Sequence, residues 1–237
     1  MNTPMKTIGL IGGTSWPSTI EYYRLLNHMT ATALGDSHSA RLILYSIDYQ
    51  PIKSRYRDHW HEIPALLKAE FQSALALRPD CLILCNNTLH KAYDQIAAEL
   101  NISIPFFHAL DLTAQSMHKQ GHKRLLLLAT QASMEDPYFS GKFEQYGLEV
   151  VTPDLADRHH IQDIQTRLAT GNPVTSVDQA YFKQLLDQYR DKVDSVVLAC
   201  TELPLAVNQS MTALTIVNTI HVQCEAALQF ALTSANF

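Results

Sequence analysis

The chain has 237 residues, of which 46% are hydrophobic and 17% are charged, and this composition fits one large or two small globular domains. The net charge of −5 and the scattered lysines and arginines argue against a protein that binds nucleic acid or anionic membranes. No segment approaches the roughly 20 apolar residues of a membrane-spanning helix, and the start, MNTPMKTIGL, lacks a signal-peptide core, so we expect a cytoplasmic location.

Short apolar runs alternate with segments of helical periodicity along the chain. Strands are predicted over 7–12, 40–47, 81–85, 104–110, 124–129, 148–153, 195–200 and 214–218. Helices are predicted over 17–34, 63–77, 91–100, 139–146, 161–169, 178–189 and 221–232. Most strands are continuous apolar runs, as in parallel strands that are covered on both faces. The alternation predicts an α/β protein with parallel sheets and right-handed crossovers.

The chain also repeats itself. PDCLILCNNT (79–88) aligns without a gap on VDSVVLACTE (193–202), and KTIGLIGGTS (6–15) resembles KRLLLLATQAS (123–133). Offsets of 114 and 117 residues indicate two homologous α/β halves rather than a solenoid. We expect a first domain of residues 1–112 and 213–237, with the last helix packed on it, and a second domain of residues 113–212. Ligands bind at the carboxyl ends of parallel strands, so the predicted site lies in the cleft between the halves.

The turn GGTSWPST (12–19) connects a strand to a helix and is rich in groups that hold an anion. Gly12 and Gly13 permit a tight turn, and the hydroxyls of Thr14 and Ser15 add to the backbone N–H groups at the helix start. The glycine patterns of dinucleotide and nucleotide-phosphate sites are absent from it. We interpret the turn as a site for a substrate carboxylate, with plain helix capping as the alternative.

The motif ACTELP (199–204) places Cys200 at a predicted strand end, followed by Thr201 and Glu202. Backbone N–H groups at such a turn lower the pKa of a thiol and favour the thiolate. A buried, inert cysteine is the alternative. A protease-like pairing of Cys200 or Cys85 with His90 has no supporting signature. In a reducing compartment all four cysteines are expected to be free thiols.

No metal site is predicted. Cys81 and Cys85 are separated by roughly 13 Å along a strand, which is too far to share one ion. The histidine pairs at 59 and 61 and at 159 and 160 lack a matching ligand pattern. Arg55 lies in a polar loop after the second predicted strand, where it can clamp a carboxylate bidentately or simply be solvated.

Four segments resemble the aspartate/glutamate racemase family, which also includes relatives that act on hydantoins and maleate. They are IGLIGGTSWPSTIEYYRLLN (8–27), CNNTLHKAYDQI (85–96), LACTELPL (198–205) and TIVNTIHVQCEAAL (215–228). The first segment resembles the enterobacterial-type branch that acts on glutamate or aspartate. The resemblance implies two flavodoxin-like halves related by pseudo-twofold symmetry, a substrate between them, and a homodimer.

The family's chemistry is a proton transfer between two bases that uses no pyridoxal phosphate or other cofactor. One cysteine thiolate removes the α-proton of the amino acid, and a second thiol returns a proton to the opposite face. A thiolate is a modest base for so weak a carbon acid, so the site must stabilise the carbanion electrostatically. The resemblance implies Cys200 as one base, with the substrate lined by Thr14, Ser15, Asn87, Thr88, Thr201 and Glu202.

This sequence departs from the family at the first base. The family motif Cys-Asn-Thr-x-His aligns on Asn87, Thr88 and His90, which puts Asn86 at the base position. An asparagine amide cannot act as a base at neutral pH, although it can hydrogen-bond a carboxylate or an enolate. We therefore expect racemisation that is slow or proton exchange that is confined to one face.

The internal repeat supports the same register. Asn86 follows Asp80 by six residues, as Cys200 follows Asp194, whereas Cys85 aligns with an alanine. Successive side chains of a strand point to opposite faces, so Cys85 is expected to point away from the site. A local bulge that re-aims Cys85 into a catalytic position is the open alternative.

A second departure concerns His160. Many relatives carry a lysine here, before a helix that we predict to begin at Ile161. A histidine binds a carboxylate when it is protonated or through a neutral N–H donor.

These features together predict a cofactor-independent racemase of aspartate or glutamate. Two alternatives stay open. One is a binding protein that kept the fold and lost the second base. The other is a one-cysteine isomerase or lyase that acts on a dicarboxylate.

Overall fold

The structure, a computed structural model, describes residues 5–35 and 37–233. The chain divides into two units: one runs up to His108 and resumes at Gln223, and the other is Ala109–Val222. The return to the first unit therefore lies ten residues beyond the predicted boundary at 213. The reason is that the strand Thr215–Asn218 pairs with a strand of the second unit.

The first unit contains a three-stranded parallel sheet in the order β2-β1-β3. Its strands are β1 (Ile8–Gly12), β2 (Leu42–Ser46) and β3 (Cys81–Leu84), and its complete helices are α1 (Trp16–Leu34), α2 (Gln50–Lys53), α3 (Ile63–Ala76) and α4 (His90–Leu100), with a 3-10 turn at Trp60–Glu62. β1 and β3 are buried along their whole length, as their unbroken apolar sequences require. Phe71 of α3 and Ile96 of α4 belong to the apolar core of this unit.

The second unit contains a four-stranded parallel sheet in the order β5-β4-β6-β7. Its strands are β4 (Arg124–Leu128), β5 (Glu149–Val151), β6 (Ser195–Leu198) and β7 (Thr215–Asn218), and its helices are α5 (Ala109–Lys119), α6 (Gln131–Glu135), α7 (Pro137–Glu144), α8 (Leu155–Ala169), α9 (Ser176–Tyr189) and α10 (Leu203–Ala206), with a 3-10 turn at Gln209–Met211. Phe139, Phe143 and Phe182 are buried in its core. The predicted α/β class with two parallel sheets is confirmed.

The predicted strand at 104–110 is wrong. It is reduced to one bridge, in which Leu82 N donates to Pro105 O (2.9 Å) and Phe107 N donates to Leu82 O (3.0 Å). Proline has no N–H to extend the ladder, and α5 already begins at Ala109. The bridge adjoins β3 as β7 adjoins β6, so the two sheets share one order.

The last helix, α11 (Thr219–Leu232), starts in the second unit and continues in the first from Gln223. The Gln223 side chain is fully buried: its Oε1 accepts from the Tyr22 hydroxyl (2.9 Å) and its Nε2 donates to Phe107 O (2.6 Å). These bonds fasten the C-terminal segment to the first unit. No helix among the described residues combines the length and apolar character needed to cross a bilayer.

Candidate active site

Matching aspartates set the register of β3 and β6. The Asp80 carboxylate accepts the N–H of Thr7 (2.6 Å), just before β1. The Asp194 carboxylate accepts the N–H groups of Lys123 (2.7 Å) and Arg124 (3.0 Å), at the start of β4. Burial alone would raise the pKa of Asp194, but these N–H donors, together with hydrogen bonds from Ser195 and His122, outweigh it and lower the pKa. The residues beyond the ends of β3 and β6 are therefore structurally comparable.

The turn after β1 is shaped by Gly13. This residue has φ +85°, and a Cβ there would lie 2.3 Å from the carbonyl oxygen of Ile47, so only glycine fits. Ser15 also has a positive φ, 90°, and its side chain does not cap α1, so Ser15 does not provide the simple capping considered above. The buried Thr14 hydroxyl donates to Cys85 O (3.0 Å), which ties this turn to the end of β3.

Asn86 lies two residues beyond the end of β3 and is half-buried. Its Nδ2 donates to Thr14 O and to the Tyr49 hydroxyl, both at 3.3 Å. Its Oδ1 accepts the N–H of Leu89 (2.9 Å), at the start of α4. The amide thus organises three segments around the strand end, but it has no proton to exchange at neutral pH.

Two tyrosines that sequence reasoning missed adjoin Asn86. The Tyr49 and Tyr56 hydroxyl oxygens are 2.5 Å apart, and Lys53 Nζ lies 5.9 Å and 4.9 Å from the respective ring centroids. Burial, together with Tyr49, raises the pKa of Tyr56 well above its usual value. The sequence does show two tyrosines seven residues apart, with a lysine between them, just after a predicted strand. That pattern could have indicated the pair.

Cys85 is fully buried. Its N–H donates to Ile11 O (2.9 Å), so the β1–β3 ladder continues regularly through this residue. Burial raises the pKa of its thiol well above the usual value, and the neighbouring Cys224 thiol adds to the effect. Such a thiol has the environment of an inert core residue.

His90 is a neutral structural group. It is fully buried, and Nδ1 donates to Asn86 O (2.8 Å). Burial and the adjacent His108 hold its pKa well below the ordinary value. Asn87 is buried and its carbonyl accepts the His90 N–H (3.3 Å), while Thr88 is half-buried.

Cys200 lies two residues beyond the end of β6, in the second unit. Its thiol donates to Glu202 Oε2 (3.1 Å), and the same oxygen accepts from the Thr201 hydroxyl (3.0 Å) and Gln165 Nε2 (3.3 Å). Cys200 and Glu202 are only 4% and 3% exposed. Three donors thus converge on one buried carboxylate oxygen.

The expected lowering of the Cys200 pKa is wrong. Burial raises the pKa of the thiol well above its ordinary value, and the charge of Glu202 raises it further. The backbone N–H groups of Glu202 and Leu203 act in the opposite direction, as the turn geometry suggested, but they are outweighed. The sequence motif could not show that the carboxylate two residues away turns back onto the sulfur.

A glutamine network holds Gln165 in place. Gln162 Nε2 donates to Gln165 Oε1 (2.8 Å), and Gln162 Oε1 accepts the N–H of Gln131 (2.9 Å), just after β4. Sequence reasoning missed both glutamines, although their spacing of three in a predicted helix places them on one face. The network fixes the amide that donates to Glu202.

Arg55 and His160, the two residues predicted to bind a substrate carboxylate, have different surroundings. Arg55 Nε donates to Glu62 Oε2 and its Nη1 donates to Pro51 O, both at 2.5 Å, so its guanidinium already has an anionic partner. His160 does not precede a helix, because α8 begins at Leu155; it is exposed, with its ring 4.4 Å from that of Tyr181.

A family model described as Asp/Glu/Hydantoin racemase matches residues 11–227. The chain belongs to this racemase family. A structure named "putative Asp/Glu Racemase" from Yersinia pestis is 33% identical and aligns over 97% of this chain and 100% of that chain, with a TM-score of 0.85. An aspartate racemase homologue from Pyrococcus horikoshii OT3 is 26% identical over 96% and 99% of the two chains, with a TM-score of 0.84.

A curated relative, the glutamate racemase of Actinobacillus pleuropneumoniae serotype 5b, is 28% identical over 85 residues, which span 35% of this chain and 31% of that protein. Membership of the racemase family supports amino-acid racemase activity, and therefore an isomerase. Of the predicted site residues, Thr14 is hydrogen-bonded to Asn86 in the first unit. In the second unit, Glu202 accepts hydrogen bonds from Cys200 and Thr201.

An apolar cavity of about 300 Å³ lies on the first unit, beside α1 and β2. It is lined by Trp16, Thr19, Ile20, Tyr23, Leu44 and Ser46. Its lining has no thiol, carboxylate or cation, so it does not suit the racemase chemistry. Over residues 5–35 and 37–233, no three His, Cys, Asp or Glu side chains are grouped to hold a metal ion.

Proposed function

We propose that this chain is a racemase of an acidic amino acid, aspartate or glutamate, that needs no cofactor and uses Cys200 to exchange the α-proton. The observation that carries the proposal is the S–H···O hydrogen bond from Cys200 to Glu202, 3.1 Å long and buried. We therefore assign Glu202 as the hydrogen-bond partner of Cys200 and not as a ligand of the substrate.

The hydrogen bond gives Cys200 a route to its reactive form. Transfer of the thiol proton to Glu202 leaves a thiolate, which the backbone N–H groups of Glu202 and Leu203 stabilise. The thiolate then takes the α-proton of the substrate, while Thr201 and Gln165 keep the Glu202 carboxyl in place. The pair thus carries one proton at rest and two after abstraction.

An acidic substrate requires cationic partners for its carboxylates. Arg55 is proposed to bind one of them by exchanging its bond to Glu62, which is half-exposed and easily replaced by another carboxylate. His160 is proposed as a second, weaker contact, because it is exposed on α8. The names of the Yersinia and Pyrococcus proteins support an acidic amino acid as the substrate.

The test is proton NMR in heavy water with each enantiomer of aspartate and glutamate. The expected result is loss of the α-proton signal with the wild type, and its persistence with Cys200→Ala for the enantiomer whose α-hydrogen faces Cys200. Cys85→Ala serves as the matched thiol control and is expected to exchange at the wild-type rate, because Cys85 is buried in the β1–β3 core. Full exchange by Cys200→Ala would contradict the proposal.

Two other outcomes point to the alternative functions. Calorimetric binding of an acidic amino acid without exchange or loss of optical rotation would indicate a binding protein. Turnover of maleate or an arylmalonate would indicate a one-cysteine isomerase or lyase.

We also propose that the chain forms a homodimer and works in the cytoplasm. Trp16, Ile20 and Tyr23 form an uncharged stripe on α1 and are each more than half exposed, as expected of a self-complementary contact. All four cysteines are free thiols, as in a reducing compartment. Sedimentation of the wild type and of Ile20→Glu tests the dimer: the substitution is expected to give monomers, and an unchanged mass would contradict this interface.

A further inference from the structure

Inversion needs a second proton donor. If the proposed racemase chemistry is correct, Cys200 serves one face of the α-carbon and another group must serve the opposite face. The family position for that group holds Asn86, whose amide neither gives nor takes a proton at neutral pH. The Asn86 amide donates, however, to a group that does both, the hydroxyl of Tyr49 (3.3 Å).

We propose that Tyr49 is the acid–base residue that serves the substrate face nearest Asn86. A cysteine has this role in other members of the family. This inference rests on the racemase function proposed above.

Tyr49 lies at the edge of the sheet where ligands are expected. It follows the carboxyl end of β2 by three residues, as Thr14 follows β1 and Asn86 follows β3 by two. In parallel sheets the ligand lies outside these strand ends. Asn86 bonds to both Thr14 O and Tyr49, so the three strand ends share one hydrogen-bonded group.

Two hydrogen-bonding groups adjoin the Tyr49 oxygen. Asn86 Nδ2 donates to it, and the Tyr56 hydroxyl lies 2.5 Å away, within reach to donate as well. Hydrogen bonds to a charged oxygen stabilise the charged form. The ammonium of Lys53 lies beside both rings, 5.9 Å from the Tyr49 centroid and 4.9 Å from the Tyr56 centroid, and adds a positive charge to the pair.

The two tyrosines have different roles. Burial, together with the charge of Tyr49, raises the pKa of Tyr56 well above its usual value. The transferred proton is assigned to Tyr49 because its hydroxyl is the one to which Asn86 Nδ2 donates (3.3 Å). Tyr56 acts through Tyr49 and is a positioning residue.

The protons balance over one turnover. The Cys200–Glu202 pair, which carries one proton, takes the α-proton as the Cα–H bond breaks. Tyr49 gives its O–H proton to the opposite face of the carbanion and becomes a phenolate. The pair then returns one proton to water, and the phenolate takes one from water. A phenolate, with an ordinary pKa of about 10 against about 8.5 for a thiol, is basic enough to run the same step in reverse.

Tyr49→Phe tests the proposal because it keeps the ring and removes only the hydroxyl. In heavy water we expect inversion to fall by about 10²-fold or more. The enantiomer whose α-hydrogen faces Cys200 should still exchange it, because the Cys200–Glu202 pair then holds a solvent deuteron that can return to carbon. The other enantiomer should become inert.

Two further variants make the test specific. Tyr45→Phe removes a neighbouring phenol that bonds to Glu70 (2.8 Å) and should leave both rates unchanged. Adding Asn86→Cys to Tyr49→Phe places a thiol at the family position and should restore inversion to within about 10-fold of the wild type.

Each result decides one question. One-sided exchange without inversion supports Tyr49. Unchanged inversion in Tyr49→Phe, or equal loss of exchange from both enantiomers, overturns the role of Tyr49 and leaves Cys200 untouched. A wild type that neither exchanges nor inverts any acidic amino acid overturns the racemase function itself, and this inference with it.

Discussion

The segments that follow β3 and β6 have the same arrangement but carry different chemical groups. In both, an aspartate fastened to the neighbouring strand leads, six residues later, to the key residue just beyond the strand. Beyond β6 that residue is a thiol bonded to a carboxylate, and beyond β3 it is a neutral amide bonded to a phenol. The two copies of the repeat therefore share the position of the functional group but differ in its acid–base character.

Substitution of Cys200 and of Asn86 should affect α-proton exchange very differently. Cys200→Ala should lower α-proton exchange by about 10³-fold, because the proton-accepting group is gone. Asn86→Ala should leave exchange at the Cys200 face within about 10-fold and destabilise the fold by about 1–2 kcal/mol, because the Leu89 N–H loses its acceptor. Proton NMR in heavy water and urea unfolding measure the two. Equal losses of exchange in both variants would contradict the different roles assigned to Cys200 and Asn86.

Glu202→Gln should lower exchange by about 10²-fold, because the thiol loses its proton acceptor. The substitution also removes a negative charge and a hydrogen bond that raise the pKa of Cys200, so the thiolate should form at lower pH. Ultraviolet titration of thiolate absorbance, against the same variant lacking Cys200, measures that shift. Glu135→Gln, which alters a carboxylate paired with Arg158 in the same unit, is the control and should change neither property.

The turns after β1 and β4 should differ in their tolerance of a side chain. Gly13→Ala should destabilise the protein by about 3 kcal/mol, because its Cβ meets a backbone oxygen at 2.3 Å and its φ is positive. At the matching position after β4, Thr130→Ala should cost only about 1 kcal/mol, the value of the cap that Thr130 provides to Ser133. Urea unfolding measures both, and a mild effect of Gly13→Ala would contradict the turn geometry.

The smallest effect concerns the two aspartate anchors. Asp194→Asn should destabilise the protein by about 1 kcal/mol at pH 7 and more than Asp80→Asn does, because Asp194 accepts two backbone N–H groups and Asp80 accepts one. The pKa of Asp194 is lowered in the folded state, so its contribution is present above the unfolded pKa of about 3.9 and is lost as the pH falls through the folded pKa. A gap between Asp194→Asn and wild type that does not shrink in acid would refute this account.

The repeat predicted which residues follow the strand ends because its two copies have the same spacing along the chain. Aligning Asp80 with Asp194 was enough to place Asn86 and Cys200 in equivalent positions. Seven of the eight predicted strands form, and the exception at 104–110 fails at Pro105, whose missing N–H outweighs an apolar pattern.

The direction of the Cys200 pKa and the tyrosine pair could not be predicted in this way. Both depend on side chains that meet only in the folded unit, such as Gln165 and Glu202, 37 residues apart. Tyr49 contacts Asn86 across a similar distance in sequence, through a loop whose path no periodicity encodes. The site residues themselves stay predictions until the variants above are measured.

The two-part construction of the first unit has a consequence for how the protein is made. Its second segment begins only at Gln223, and that fully buried side chain holds Tyr22 and Phe107 together. Ala109–Val222, by contrast, is one uninterrupted stretch. A ribosome therefore delivers everything the second unit needs before it delivers the last piece of the first. The N-terminal half of the chain, although synthesised first, has to wait for the C-terminal helix to complete its core.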